Sequence, residues 1–185
     1  METVADSIDN AIRTLGLPAA AIRKLAPLDS DHVYAEALHH FVSAKNPAWW
    51  WESFRQESTS RAFLGDSGWN HLLDLVPDPE EKVWFITEED ASPFYIVYEA
   101  SPRALRQLLG ECYFFEYYLI DQDHEWLLCE NHHRMVFAVG REARERLTRF
   151  RPRPAYFPAP VTPTAADAVS ACAAQSASGR CLPRK

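Results

Sequence analysis

Glycine is scarce in this chain, six in 185 residues and each standing alone. Phosphate-cradling loops need closely spaced glycines whose bare backbone approaches the anion, so no phosphate- or dinucleotide-binding loop is expected. A Gly-x-Ser-x-Gly elbow is also missing, which removes the usual signal of a serine hydrolase. Cysteine is limited to four residues, with no Cys-x-x-Cys: Cys112 and Cys129 fall in or beside predicted strands, and Cys172 and Cys181 fall near the end. Buried thiols are expected from this pattern, rather than disulfides or zinc ligands. No apolar run approaches the ~20 residues that span a bilayer. The start, Met1-Glu2-Thr3-Val4-Ala5-Asp6, is acidic and lacks the basic region of a secretory signal, so a cytoplasmic location is the expectation.

What is present is apolar and acidic. Hydrophobic residues make up 47%, with six Trp, seven Tyr and ten Phe, enough for one well-filled core. Charge is unevenly placed: residues 1–140 carry 10 Lys and Arg against 23 Asp and Glu, a balance of -13, while residues 141–185 carry 9 against 3, a balance of +6. Phosphates are repelled by such an acidic body, which disfavours direct nucleic-acid binding through it. A basic protein partner would be steered toward it, and the same charge also serves solubility.

The first third has helical spacing. Ile8, Ala11, Ile12 and Leu15 share one face before Gly16, Pro18 can open a short helix to about Leu25, and Asp29 or Ser30 can cap a third helix with Val33, Ala37, Leu38 and Phe41 inward. Pro47 would start a fourth, short helix carrying Trp49, Trp50 and Trp51. A further short helix is expected over 69–75. The period then changes: 83–87 and 94–98 are β-branched and aromatic runs, followed by a helix opened by Ser101-Pro102 and by strands at about 113–121, 125–131 and 134–139. Gly140 precedes a helix with Glu142/Arg146 and Glu145/Arg149 pairs. Beyond it, residues 151–185 turn rich in Pro, Ala and Ser and read as an extended tail.

The segment Phe115-Glu116-Tyr117-Tyr118-Leu119-Ile120-Asp121 to Trp126-Leu127-Leu128-Cys129-Glu130-Asn131-His132-His133-Arg134 gathers the chemistry. A two-residue turn at Gln122-Asp123 would pair Leu119 with Trp126 and Tyr117 with Leu128. It would place Tyr118 and Glu116 on the other face, with Leu127 and Cys129. Strand alternation puts Glu130 and His132 on one side, Asn131 and His133 on the other. Glu130 with His132 is a two-ligand fragment of a metal site, short of the three or four that zinc needs. The competing reading is a tight turn at His132-His133 with Asn131 bonding local backbone. On the early helix, His32, Glu36 and His40 share a face as a solvated stripe or a weak ligand set. Trp49-Trp50-Trp51 is either core packing or, through Trp50, a partner anchor.

This segment, with Val97-Tyr98-Glu99 and the Pro102 helix, resembles a family of small bacterial proteins of unassigned function over about residues 80–140, and its Trp-Leu-x-x-Glu-Asn-His-His ending is the specific part. Helices followed by a sheet with one intervening helix also look like the SUKH (Smi1/Knr4-like) immunity proteins of bacterial toxin systems. The fold expected is α+β: N-terminal helices packed on a mainly antiparallel sheet of about five strands, with an inserted and a C-terminal helix, over residues 1–150. The function expected is a non-enzymatic, cytoplasmic protein-binding module, of the toxin-neutralising kind that the resemblance implies. Its binding residues are Glu116, Glu130, Asn131, His132, His133 and Trp50, with no metal or cofactor. The rival is a metal-dependent hydrolase or nuclease centred on Glu130 and His132.

Overall fold

A computed structural model of the chain describes residues 3–44, 49–63, 65–89 and 95–151. The Pro/Ala/Ser-rich segment falls outside them, apart from Arg151. Five α-helices and a seven-stranded antiparallel sheet account for the described regular structure, together with two 3-10 turns. The strands are β1 (Ile22–Lys24), β2 (Ser58–Ala62), β3 (Val83–Glu88), β4 (Tyr95–Ala100), β5 (Tyr117–Asp121), β6 (Leu127–Glu130) and β7 (Met135–Val139), in the order β1-β4-β3-β5-β6-β7-β2. This is the α+β fold that the sequence pattern indicates, with two more strands than the five expected.

The helices sit on both faces of that sheet. α1 (Val4–Leu15), α3 (Leu72–Leu75), α4 (Pro102–Glu111) and α5 (Arg141–Arg149) bury Ile8, Leu72, Leu105 and Leu147 against Phe85, Tyr98, Leu119 and Leu128. α2 (Pro27–Phe41) covers the opposite face, where Val33, Ala37 and Phe41 meet Ile86, Val97, Tyr118 and Cys129. β5 lies at the centre of the sheet and is buried along its whole length, which explains why its sequence is nearly continuous in apolar and aromatic residues. Local chemistry fixes the helix ends. Thr3 and Asp6 form a reciprocal capping box at α1, worth about 1 kcal/mol, and Gly16 closes it at φ 63°. Ser101 accepts from the Ala104 amide at 3.3 Å with Pro102 in the first turn of α4.

Several expectations are corrected. The short helix foreseen from Pro18 to Leu25 is a turn running into β1, where Ile22 pairs with Ala100. The helix foreseen for the tryptophans is a single 3-10 turn, Trp50–Glu52. β2, with the sequence Ser-Thr-Ser-Arg-Ala, carries none of the apolar alternation that marks a half-buried strand, because it is an exposed sheet edge. The β5–β6 register differs by two residues: Leu119 faces Leu128 and Tyr117 faces Glu130. Asp121 causes the slip. Its carboxylate accepts the Trp126 amide at 2.7 Å and its carbonyl accepts the His124 amide at 3.2 Å, with His124 at φ 58°, so the connection is longer than two residues. A slip of two leaves every side chain on its expected face.

Candidate functional site

Two buried glutamates flank the centre of the sheet, one on each face, and they differ in what holds them. Glu130 ends β6 on the face of α1 and α4. Its carboxylate accepts the Gly68 amide at 2.6 Å, the Trp69 amide at 2.9 Å and the Tyr117 hydroxyl at 2.8 Å. It therefore pins the start of the 3-10 turn Gly68–His71 to the sheet. Burial raises its pKa above the ordinary glutamate range, and the three donors, with the Arg134 charge, offset only part of that rise. The fit leaves no room at Gly68, where an added Cβ would lie 2.2 Å from Val136 Cγ2.

Glu116 stands just before β5 and points to the α2 face, as Tyr118 two residues later does. The Tyr118 hydroxyl donates to Oε1, while Trp51 Nε1 at 3.2 Å and His132 Nδ1 at 3.1 Å donate to Oε2. Here the donors lead outward. The Glu116 side chain is 2% exposed but that of His132 is 43% exposed. Around them lies an aromatic platform. Trp49, 39% exposed, stacks on Trp51 with centroids 6.0 Å apart and lies 5.5 Å from the His132 ring. His133 packs 4.0 Å from His132 and 6.0 Å from Trp51. Phe137 of β7 supports Trp51 from below at 5.7 Å.

The neighbouring turn sets this geometry. Asn131 is buried, and its Oδ1 accepts the His133 and Met135 amides, both at 3.0 Å, while its own amide bonds the Met135 carbonyl. Arg134 completes the turn at φ 57°. Because β6 ends at Glu130, strand alternation no longer applies to 131–134, and His132 swings to the face opposite Glu130. The expected pairing of Glu130 with His132 is thus corrected: the structure joins His132 to Glu116 and leaves Glu130 in the interior. Trp50 is corrected as well. It is fully buried, 4.4 Å from the Tyr118 ring and 5.4 Å from that of Tyr34, so it belongs to the core under the platform. The triple tryptophan marks the right place, but the indoles that reach the surface are those of Trp49 and Trp51 and not that of Trp50.

Chemically, a neutral histidine whose Nδ1 donates to a carboxylate keeps Nε2 as an acceptor or ligand. Cys129 lies on the same face, but burial raises its thiol pKa well above the ordinary range, so no ready nucleophile accompanies the dyad. Among the described residues no three His, Cys, Asp or Glu side chains converge as a metal centre requires. Cys129 is a buried free thiol, and no described helix is long and apolar enough to cross a membrane.

This is an α+β protein with a two-sided core and, beside Glu116, an aromatic, histidine-bearing surface patch. The chain belongs to a family of unknown function (DUF6756), whose model matches residues 2–151. No curated protein and no solved structure matches it.

Proposed function

We propose that the chain is a cytoplasmic, non-enzymatic protein-binding module that docks a basic partner on the platform of Trp49, Trp51, His132 and His133. The observation that carries this reading is the outward indole of Trp49 stacked on Trp51, over a buried carboxylate that fixes both Trp51 and His132. Rigid aromatic side chains held by hydrogen bonds to a buried carboxylate have the character of binding hot spots, since little rotamer entropy is lost when a partner covers them. Indole faces also attract Lys and Arg, and the acidic balance of residues 1–140 steers a basic protein toward them. Toxin neutralisation, the role implied by the resemblance to SUKH immunity proteins, is a specific form of this reading.

The test is a paired capture from cells of the source organism, using the full chain and a Trp49→Ala/His132→Ala variant as baits. Basic proteins retained by the first at low salt, released as salt rises and missing from the second are the expected result. Identical protein sets on both baits would remove the platform from the reading.

A further inference from the structure

We propose that the open edge of β2 takes up an extended acidic peptide by strand addition, with the arginines of α5 reading its side chains. This surface is separate from the aromatic platform and does not depend on it. β2 is last in the sheet order and pairs only with β7 among the described residues. The hydrogen-bond phase of that pair follows from two flanking bonds. The Phe63 amide donates to the Arg134 carbonyl, so in the same register Thr59 and Arg61 turn their backbone groups toward β7. The Asn131 amide donates to the Met135 carbonyl, so the odd-numbered residues of β7 face β6 and the even-numbered ones face β2, which agrees. Ser58, Ser60 and Ala62 therefore present their N–H and C=O groups away from the sheet, as a template for one more strand.

Side-chain direction supplies the specificity. Thr59 and Arg61 lie opposite Ala138 and Val136, which belong to the core beneath α5, so they point to the α5 side. There a groove of about 380 Å³ is lined by Thr59, Arg141, Arg144, Glu145, Thr148 and Arg149. Arg144 is tied to Glu57 and to Thr59, and Arg141 and Arg149 share the single carboxylate of Glu145. Arg61 is committed to the Phe150 carbonyl and ring. Three arginines against two carboxylates leave this groove positive on an otherwise acidic body. Every second residue of an added strand would face it, so acidic side chains at alternate positions fit. A second copy fits poorly, since its own β2 would bring Arg61 to an arginine-lined groove. No aromatic side chain among the described residues lines the groove to stack a base, which argues against a single-stranded nucleic acid.

Arginine at an edge strand also guards against aggregation, and the experiment must separate guarding from binding. A displayed library of random twelve-residue peptides is selected on the full chain and counter-selected on a Ser60→Pro variant, in which the ring removes an outward donor without touching the β7 ladder. The expected survivors carry Asp or Glu at alternate positions and lose about tenfold in affinity to an Arg141→Glu/Arg144→Glu variant, the size of one lost charge-assisted contact. A melting temperature of Ser60→Pro close to that of the parent shows that the fold is kept, and Ser60→Thr should bind as the parent does. No survivors, survivors without acidic enrichment, or affinity unchanged by the charge reversal would each overturn the proposal. So would sedimentation showing a dimer that Ser60→Pro abolishes, or preference for an oligonucleotide.

Discussion

Glu116 and Glu130 are chemically identical, almost equally buried and each held by three donors, yet only one borders a surface. Glu130 receives two backbone amides and a buried hydroxyl, all fixed by the fold. Glu116 receives one buried hydroxyl, an indole and a half-exposed imidazole. The contrast separates two uses of a buried carboxylate. When every partner is interior, the group joins two pieces of architecture; when the partners run outward, it holds surface side chains in place for something else. Burial by itself does not distinguish them.

Replacement by alanine should therefore cost unequally. Glu130→Ala strands the Gly68 and Trp69 amides and the Tyr117 hydroxyl in the interior, and a loss of about 3 kcal/mol in urea unfolding is expected, at the upper end for point changes. Glu116→Ala strands only the Tyr118 hydroxyl in the interior, while water can replace the acceptor lost by the part-buried indole and imidazole, so about 1–2 kcal/mol is expected. Equal losses at the two sites would collapse the comparison. Gly68→Ala tests the Glu130 side from the backbone. Its Cβ cannot coexist with Val136, so a loss of about 2 kcal/mol is expected, with Gly65→Ala, where nothing lies within 4 Å of the added atom, giving a smaller one set by its positive φ.

Acidity offers a finer probe. Burial raises the Glu130 pKa above the 4.5 of an unperturbed glutamate. Between that value and the raised one, the folded chain holds a proton that the unfolded chain has released, so this site's contribution to stability falls as pH rises. Glu130→Gln carries no such proton. The stability of the parent relative to this variant should decline with rising pH through that window and level off above it, measured by urea unfolding at each pH. A difference that grows with pH would show that the three donors outweigh burial.

The sequence made half of this contrast readable. The alternation of β5 and β6 correctly put Glu116 and Tyr118 on one face and Tyr117, Leu128 and Glu130 on the other, because face depends only on parity. The cross-strand partner of Glu130 is not legible in the sequence, because a two-residue turn is the default between such strands and the Asp121 carboxylate that lengthens the connection is invisible to turn statistics. His132 pairs with Glu116 and not Glu130 for a similar reason: period-two alternation does not extend past Glu130, where the strand ends. β1 and β2 escaped notice because short edge strands have no apolar stripe to show. The tryptophans were conspicuous, but which indole turns inward depends on a single 3-10 turn, and neighbouring identical residues give no hint of it.

The smallest stability effect is expected at Trp49, and it bears most on function. If the platform exists to be covered, its outermost indole contributes little to the isolated fold, since water already reaches it. Trp49→Ala should thus stay within about 0.5–1 kcal/mol of the parent, the loss of one aromatic contact with Trp51. Affinity for a captured basic partner should fall far more, by about 2 kcal/mol or some thirtyfold, as removal of an anchoring indole does. Trp50→Ala should show the reverse order, a large stability loss from a cavity in the core. A Trp49 variant that unfolds easily, or one that keeps full affinity, would return Glu116 to the same architectural role as Glu130, and the two faces of the sheet would no longer differ in purpose.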